Sequence, residues 1–154
     1  MSTVLDLINN LKEISVKRIS IKAVELSTDE LVLLNQVQLF DGTNNQGKTF
    51  KKYKWEEYAE EKNKQNPNPG FGYPDLKLSG SFYKSFYAEL RGENIIIDAR
   101  DRKTGWLMEH YSTKSKGQLI FGLIPDNKAI FIQTCFAPDV QKLIEEQTGL
   151  KFTT

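Results

Sequence analysis

One cysteine and one histidine are all that this chain holds of the side chains most used for transition-metal sites and for nucleophile-base pairs. A lone thiol forms neither an intrachain disulfide nor a cysteine cluster, and Cys135 lies in the apolar stretch AIFIQTCF, where a buried, inert thiol is expected. Long apolar runs are also missing. The longest, near 95–97 and 129–132, fall far short of the roughly 20 residues that cross a bilayer. The N-terminus MSTVLDLINNLKEIS carries Asp6 early and no basic flank before its apolar residues, so no secretory leader is expected and the chain reads as made and kept in a cytosol. Neither sign of charge is in excess, with 21 Lys and Arg against 20 Asp and Glu. No global field draws the protein to nucleic acid or to an anionic membrane, so charge-driven binding has to be local.

What is present is the material of one core. With 39% hydrophobic residues, 9 Phe, 6 Tyr and 2 Trp, a chain of this length has enough bulky surface to bury, and residues 1–154 read as a single domain. Thr3 and Asp6 resemble a helix start, and Val4, Leu7, Leu11 and Ile14 recur at helical spacing, which predicts a helix over 3–13. Val16, Ile19, Ala23, Val24 and Leu26 continue with a second helix, although RISIKAVEL also permits a strand. Thr28 as cap, with Asp29 and Glu30, starts a third that ends at the turn Asp41-Gly42. Residues 1–40 are thus a helical part, and 41–154 a part containing a sheet.

Residues 41–52, DGTNNQGKTFKK, read as a solvated loop; the glycine and glutamate that a calcium loop needs at its sixth and twelfth positions are replaced by Gln46 and Lys52. A charged helix is predicted over 55–65 with Trp55, Tyr58 and Ala59 on one side. The stiff connector QNPNPGFGYP follows. A helix over 76–85 with Ser79 as cap, a hairpin around Arg91-Gly92-Glu93-Asn94, a short helix over 106–111 and a polar loop over 114–117 come next. Residues 119–124 are predicted as a strand, 129–134 as its continuation, and 140–147 as a last helix opened by Pro138 and Asp139 and ended by Gly149. The fold class is α+β: N-terminal helices, a small antiparallel sheet and a C-terminal helix.

Chemistry-bearing patterns are weak. His110 in GWLMEHYST has no Gly-x-Ser-x-Gly elbow beside it, and Ser79-Gly80-Ser81 lacks the leading glycine. Asp98 and Asp101, set among Arg100 and Arg102, read as an ion-paired strand end, since strand spacing puts the two acids on opposite faces. The glutamates and lysines of 54–64 read as a solvated helix face. Gly47-Lys48-Thr49 lacks the earlier glycine of a phosphate loop. One basic and aromatic patch remains, Lys48, Lys51, Lys52 and Lys54 with Phe50, Tyr53 and Trp55, of the kind that single-strand binders use, though it reads first as a loop entering a helix with its aromatics turned inward and its lysines out. No catalytic, cofactor or metal site is expected.

Three stretches carry a resemblance: GKTFKKYKWEEYAEEK, NPNPGFGYPDLKLSGSFYKSFYAEL and IIIDARDRKTGWLMEHYSTKSKGQLIFGL. In their order they resemble the phage tail-completion proteins, also called virion morphogenesis or neck proteins, as found in tailed phages of the crAss-like kind that infect Bacteroides-like bacteria. The family's usual Asp-Thr-Gly-x-Leu corresponds to Leu78-Ser79-Gly80-Ser81-Phe82, with the acid and the threonine replaced. Its aromatic, short helix and Phe-Gly correspond to 106–111 and Phe121-Gly122. The resemblance spans about 47–123, half of the chain. It implies a non-enzymatic structural protein of the neck or tail of a virion, made in the host cytoplasm. Its partners would be itself as a ring, portal or adaptor proteins and tail proteins, with no membrane and no specific nucleic acid. In that scaffold Gly80 allows a tight helix entry, Ser79 caps it, and Leu76, Leu78, Phe82 and Phe86 pin it to the sheet. Contact surface is expected on the two loops, at Phe50, Lys51 and Lys52 and at Phe71 and Tyr73. The rival reading is a small nucleic-acid-binding module using residues 48–55.

Overall fold

The computed structural model describes residues 4–113 and 117–152. Three helices come first: α1 (Val4–Lys12), α2 (Val16–Leu26) and α3 (Thr28–Phe40). Residue 3, expected at the first helix start, lies outside the described residues. Ser15 caps α2, its hydroxyl accepting from the Arg18 amide at 3.3 Å, and the helical reading of RISIKAVEL holds. Ser27, not Thr28, stands at the start of α3; its hydroxyl donates instead to Asp139 Oδ2 at 2.6 Å, tying the first helices to the last.

Helix α4 (Glu56–Gln65) precedes the Pro/Gly connector, as expected. The helix predicted over 76–85 shrinks to one turn, α5 (Ser81–Lys84), entered through Gly80 at φ 84°. Leu76 just before it sits at φ 56°, a left-handed conformation that ends any helix passing through it. The hairpin follows, β1 (Phe86–Arg91) pairing antiparallel with β2 (Asn94–Ala99) across the two-residue turn Gly92-Glu93, with Gly92 at φ 65°. Phe86, Ala88, Leu90, Ile97 and Ala99 share the inner face, while Tyr87 and Asp98 pair on the outer one. Helix α6 (Thr104–His110) matches the expected short helix. Residues 114–116 of the predicted polar loop are not among those described; Thr113 and Gly117 on either side pair as an isolated bridge.

Two strand predictions are overturned. Residues 129–134 are helical, in α7 (Pro125–Phe131) and a π-helical turn (Ile132–Phe136) that runs on into α8 (Ala137–Thr148). Pro125 at the first helical position and Asp126 in the first turn start this helix, and β-branched residues in AIFIQTCF do not outweigh that start. The π turn, in which the Ala137 amide donates to the Ile132 carbonyl, lies just before Pro138. A proline has no N–H and its ring meets the carbonyl four residues back in a regular helix, which is why helices widen or kink at such positions. Gly149 at φ 72° ends α8, as expected.

Residues 119–124 form no strand either. Their backbone is held by side chains: Asn35 Nδ2 donates to Ile120 O at 3.1 Å and Asn35 Oδ1 accepts from Gly122 N at 3.1 Å. Gln38 does the same for Gly122 O and Ile124 N, at 3.1 and 2.9 Å. Two buried amides of α3 thus replace the neighbouring strand, and Ile120, Phe121 and Leu123 are buried without a sheet. The core has two parts, one around Leu39, Phe50, Phe82, Tyr83, Ala99, Ile120 and Phe121, the other around Val24, Leu31, Leu123 and Phe131; Ile97 of β2 packs on both. Helices, one hairpin and a closing helix make the α+β class.

Candidate functional site

The connector is clamped rather than loose. Asn66, buried at the end of α4, donates to Phe40 O at 2.7 Å and to Asp75 Oδ2 at 3.1 Å, while its Oδ1 accepts from the Asn68 amide. Pro69 packs on Gly42, where an added Cβ would stand 2.5 Å from the Pro69 Cβ. Farther on, the Tyr53 amide donates to Gly72 O at 2.8 Å, and Lys52 Nζ lies 4.6 Å above the Tyr73 ring. Both ends of 66–75 are therefore fixed, and Phe71 stands exposed at the tip.

Beneath the connector is an ion pair that residue spacing does not announce. Lys62 was expected on a solvated helix face; instead it is buried, with Nζ 2.7 Å from Asp75 Oδ1 and bonded as well to the Lys77 carbonyl. Asp75 Oδ1 also accepts from the Lys77 amide at 3.0 Å, and the Tyr83 hydroxyl donates to the Asp75 carbonyl at 2.5 Å. Burial, and then the Asp75 charge, push the Tyr53 and Tyr83 phenols well above their ordinary range. Tyr111 is pushed up to about 12, by burial first and then by Tyr58 and Asp75. The ion pair, the Asn66 amide and the Tyr83 hydroxyl together tie the 66–77 segment to α4 and α5.

The expected contact residues divide. Phe71 is exposed and Tyr73 half-buried under Lys52. Lys51 and Lys52 are exposed, but Phe50 is a correction: it is buried, edge-on to Tyr111 at 5.0 Å, and offers nothing to a partner. Of the motif residues, Phe82 is buried and Phe86 packs edge-on against it at 4.8 Å, and Leu76 joins the same core. Leu78 does not: it is 65% exposed, because the turn at Leu76 points the following residues outward. Ser79 is not the cap residue, which is Gly80; its hydroxyl accepts from Ser81 N at 3.4 Å. Trp55 was expected inside with Tyr58 and Ala59, yet it precedes the first helical residue and is 75% exposed.

The patterns set aside in the sequence also have places. Asp98 accepts from its neighbour Ala99 N, and Arg100 stacks 4.4 Å over Tyr87 on the same outer face. Asp101 caps the next turn, accepting from Lys103 N at 2.8 Å; that amide, and then the Ser81 hydroxyl, hold its carboxyl below the usual range. His110 stacks on exposed Trp106 at 4.9 Å. Cys135 is half-buried against the second core. Among the described residues no three His, Cys, Asp or Glu side chains gather as a metal site would require, and no helix is long and apolar enough to cross a membrane.

One further feature is an open apolar groove of about 950 Å³, floored by Val24, Leu31, Leu123 and Phe131 and rimmed by Ile95 and Ile132. No family model matches the chain, and no curated protein and no solved structure matches it either.

Proposed function

We propose that this protein is a structural component of a tailed-bacteriophage particle that completes the tail or joins it to the head, acting by contacts with copies of itself, with portal or adaptor proteins and with tail proteins. The observation that carries the contact part is the clamped connector, which holds an exposed Phe71 on a backbone fixed at both ends. A large apolar side chain presented without conformational freedom loses little entropy on docking, which is the property of an interface anchor. The phage part rests on the motif order over 47–123.

The test is Phe71→Ala combined with Tyr73→Ala, with Phe71→Ala alone as the variant least able to disturb the fold. Circular dichroism should stay native, while particles assembled with either variant should lack joined tails. Normal tails and full infectivity would overturn the reading. Nucleic-acid binding is a second reading, favoured by one observation: Trp55 is exposed, with exposed Lys54 and Lys51 nearby in the chain. Filter binding that weakens steeply with salt, and is lost in Trp55→Ala, would select it.

A further inference from the structure

The fold joins two loops that hold no acid and sets them beside the exposed Phe71. Residues 42–55 and 66–74 contain neither Asp nor Glu, and the first of them carries Lys48, Lys51, Lys52 and Lys54. The Tyr53 amide bonds to Gly72 O at 2.8 Å, and a Cβ on Gly72 would stand 3.5 Å from Lys52 Cδ, so Lys52 lies along the connector next to Phe71. Lys51, one residue earlier, is exposed, and neither lysine is ion-paired among the described residues. Asp75, the first acid after the connector, does not offset them, because it is buried and held by Lys62.

The exposed acids nearest in the chain sit elsewhere. Asp41 is at the other end of the connector, where it accepts from Asn68 Nδ2 at 3.1 Å. Glu56 and Glu57 share a shallow hollow with Lys54 and Trp55. Phe71 therefore has uncompensated cations toward Gly72 and a carboxylate toward Asn68. A phosphate backbone suits this arrangement poorly, since acids stand beside Trp55 and at Asn68. The rings between them are also covered for stacking: Tyr73 lies under Lys52, Tyr53 is edge-on to Tyr58 at 4.8 Å, and Phe50 is buried. One apolar side chain, 47% exposed, with charge on its rim is the form of a protein anchor.

We infer that Phe71 docks on an acidic protein surface, an apolar pocket that takes the ring and carries carboxylates on the side that meets Lys51 and Lys52. Phe71 supplies the hold, while the lysines steer the approach and fix its direction. This partner chemistry rests on the contact reading proposed above, in which Phe71 is the anchor.

Heads and tails from particles assembled without this protein, joined in vitro by adding the purified full chain, provide the test. Lys51→Glu is the mildest variant, Lys51→Glu with Lys52→Glu reverses both charges, and Lys51→Arg with Lys52→Arg keeps them. All should retain native circular dichroism. At low salt the Glu variants should join at least about tenfold more slowly than wild type, and the Arg variant at the normal rate. Near 1 M salt, where screening shortens to about 3 Å, the wild-type and Glu-variant rates should converge. Phe71→Ala should fail at both salts. Glu variants that join normally at low salt, or a defect that persists undiminished near 1 M salt, would overturn the inference. So would oligo(dT) retained on filters by wild type and lost by the Glu variants, which would assign the lysines to nucleic acid. If Phe71→Ala joins tails normally, the contact reading itself fails; if it fails to join while the Glu variants succeed, only the acidic partner falls.

Discussion

At the scale of single residues, the buried Lys62–Asp75 pair is the most sensitive point of the fold. Replacing Lys62 by Met leaves the Asp75 carboxylate and the Lys77 carbonyl without their cation, and loss of one member of a buried pair typically costs about 3–5 kcal/mol. Urea unfolding of Lys62→Met should show a loss of that size; a loss under about 1 kcal/mol would mean that water replaces the ammonium. Gly42 and Gly80 separate two costs that positive φ usually mixes. At Gly80 a Cβ meets nothing within 4 Å, so Gly80→Ala should cost only the left-handed strain, roughly 1 to 2 kcal/mol. At Gly42 the same strain adds to a clash with the Pro69 backbone, so Gly42→Ala should cost measurably more in the same titration. The phenols set the alkaline limit. Tyr53, Tyr58, Tyr83 and Tyr111 all have raised pKa values, burial being the first cause in each. Above about pH 10 the unfolded chain gives up phenolic protons that the folded chain keeps, so the contribution is full below that pH and is lost as pH rises toward about 12, where Tyr111 itself ionises. The urea midpoint should fall steadily across this window, and a flat profile would show that these rings are solvated.

At the scale of elements, α3 does what a third strand would have done. Its Asn35 and Gln38 amides satisfy four backbone groups of 120–124, which lets a segment with Gly122 at φ 121° stay buried in irregular form. Asn35→Leu keeps the branched side-chain skeleton and removes both bonds, leaving a buried carbonyl and a buried amide unpaired at about 1–3 kcal/mol each. Chemical denaturation should report a loss on the order of 2 to 5 kcal/mol, with hydrogen exchange at Gly122 N rising more than at Phe82 N; equal protection at the two sites would argue against this role for α3. The hairpin was plain in the sequence because Gly92-Glu93 between two alternating runs suits a two-residue turn. Residues 129–134 were not, since a short apolar run reads alike as strand or buried helix and only the start at Pro125 decides it.

At the scale of the whole molecule, the Ser27–Asp139 bond and the packing of α1 and α2 on α8 bring the first and last helices together, while the hairpin and the clamped connector lie in the middle of the chain. Different parts of one body can thus present different surfaces, which the proposed joining role would use. Near-zero net charge leaves little repulsion between copies. Dilute protein should therefore sediment as a monomer, and a purified portal ring should recruit it in a fixed ratio; recruitment without saturation, or none, would speak against the neck assignment.

The sequence alone determined the features that are local. The presence of the first helices and the last, Gly149 as a stop, the Gly92 turn and the α+β class follow from spacing and from what glycine and proline permit within a few residues. The tertiary structure decided what depends on residues distant in the chain: that Lys62 is buried because Asp75 arrives beneath the connector, that Phe50 turns inward to Tyr111, that Leu78 and Trp55 face water, and that amides of α3 replace a strand. A lysine at helical spacing reads the same whether water or a carboxylate lies above it, and only the fold brings the carboxylate there.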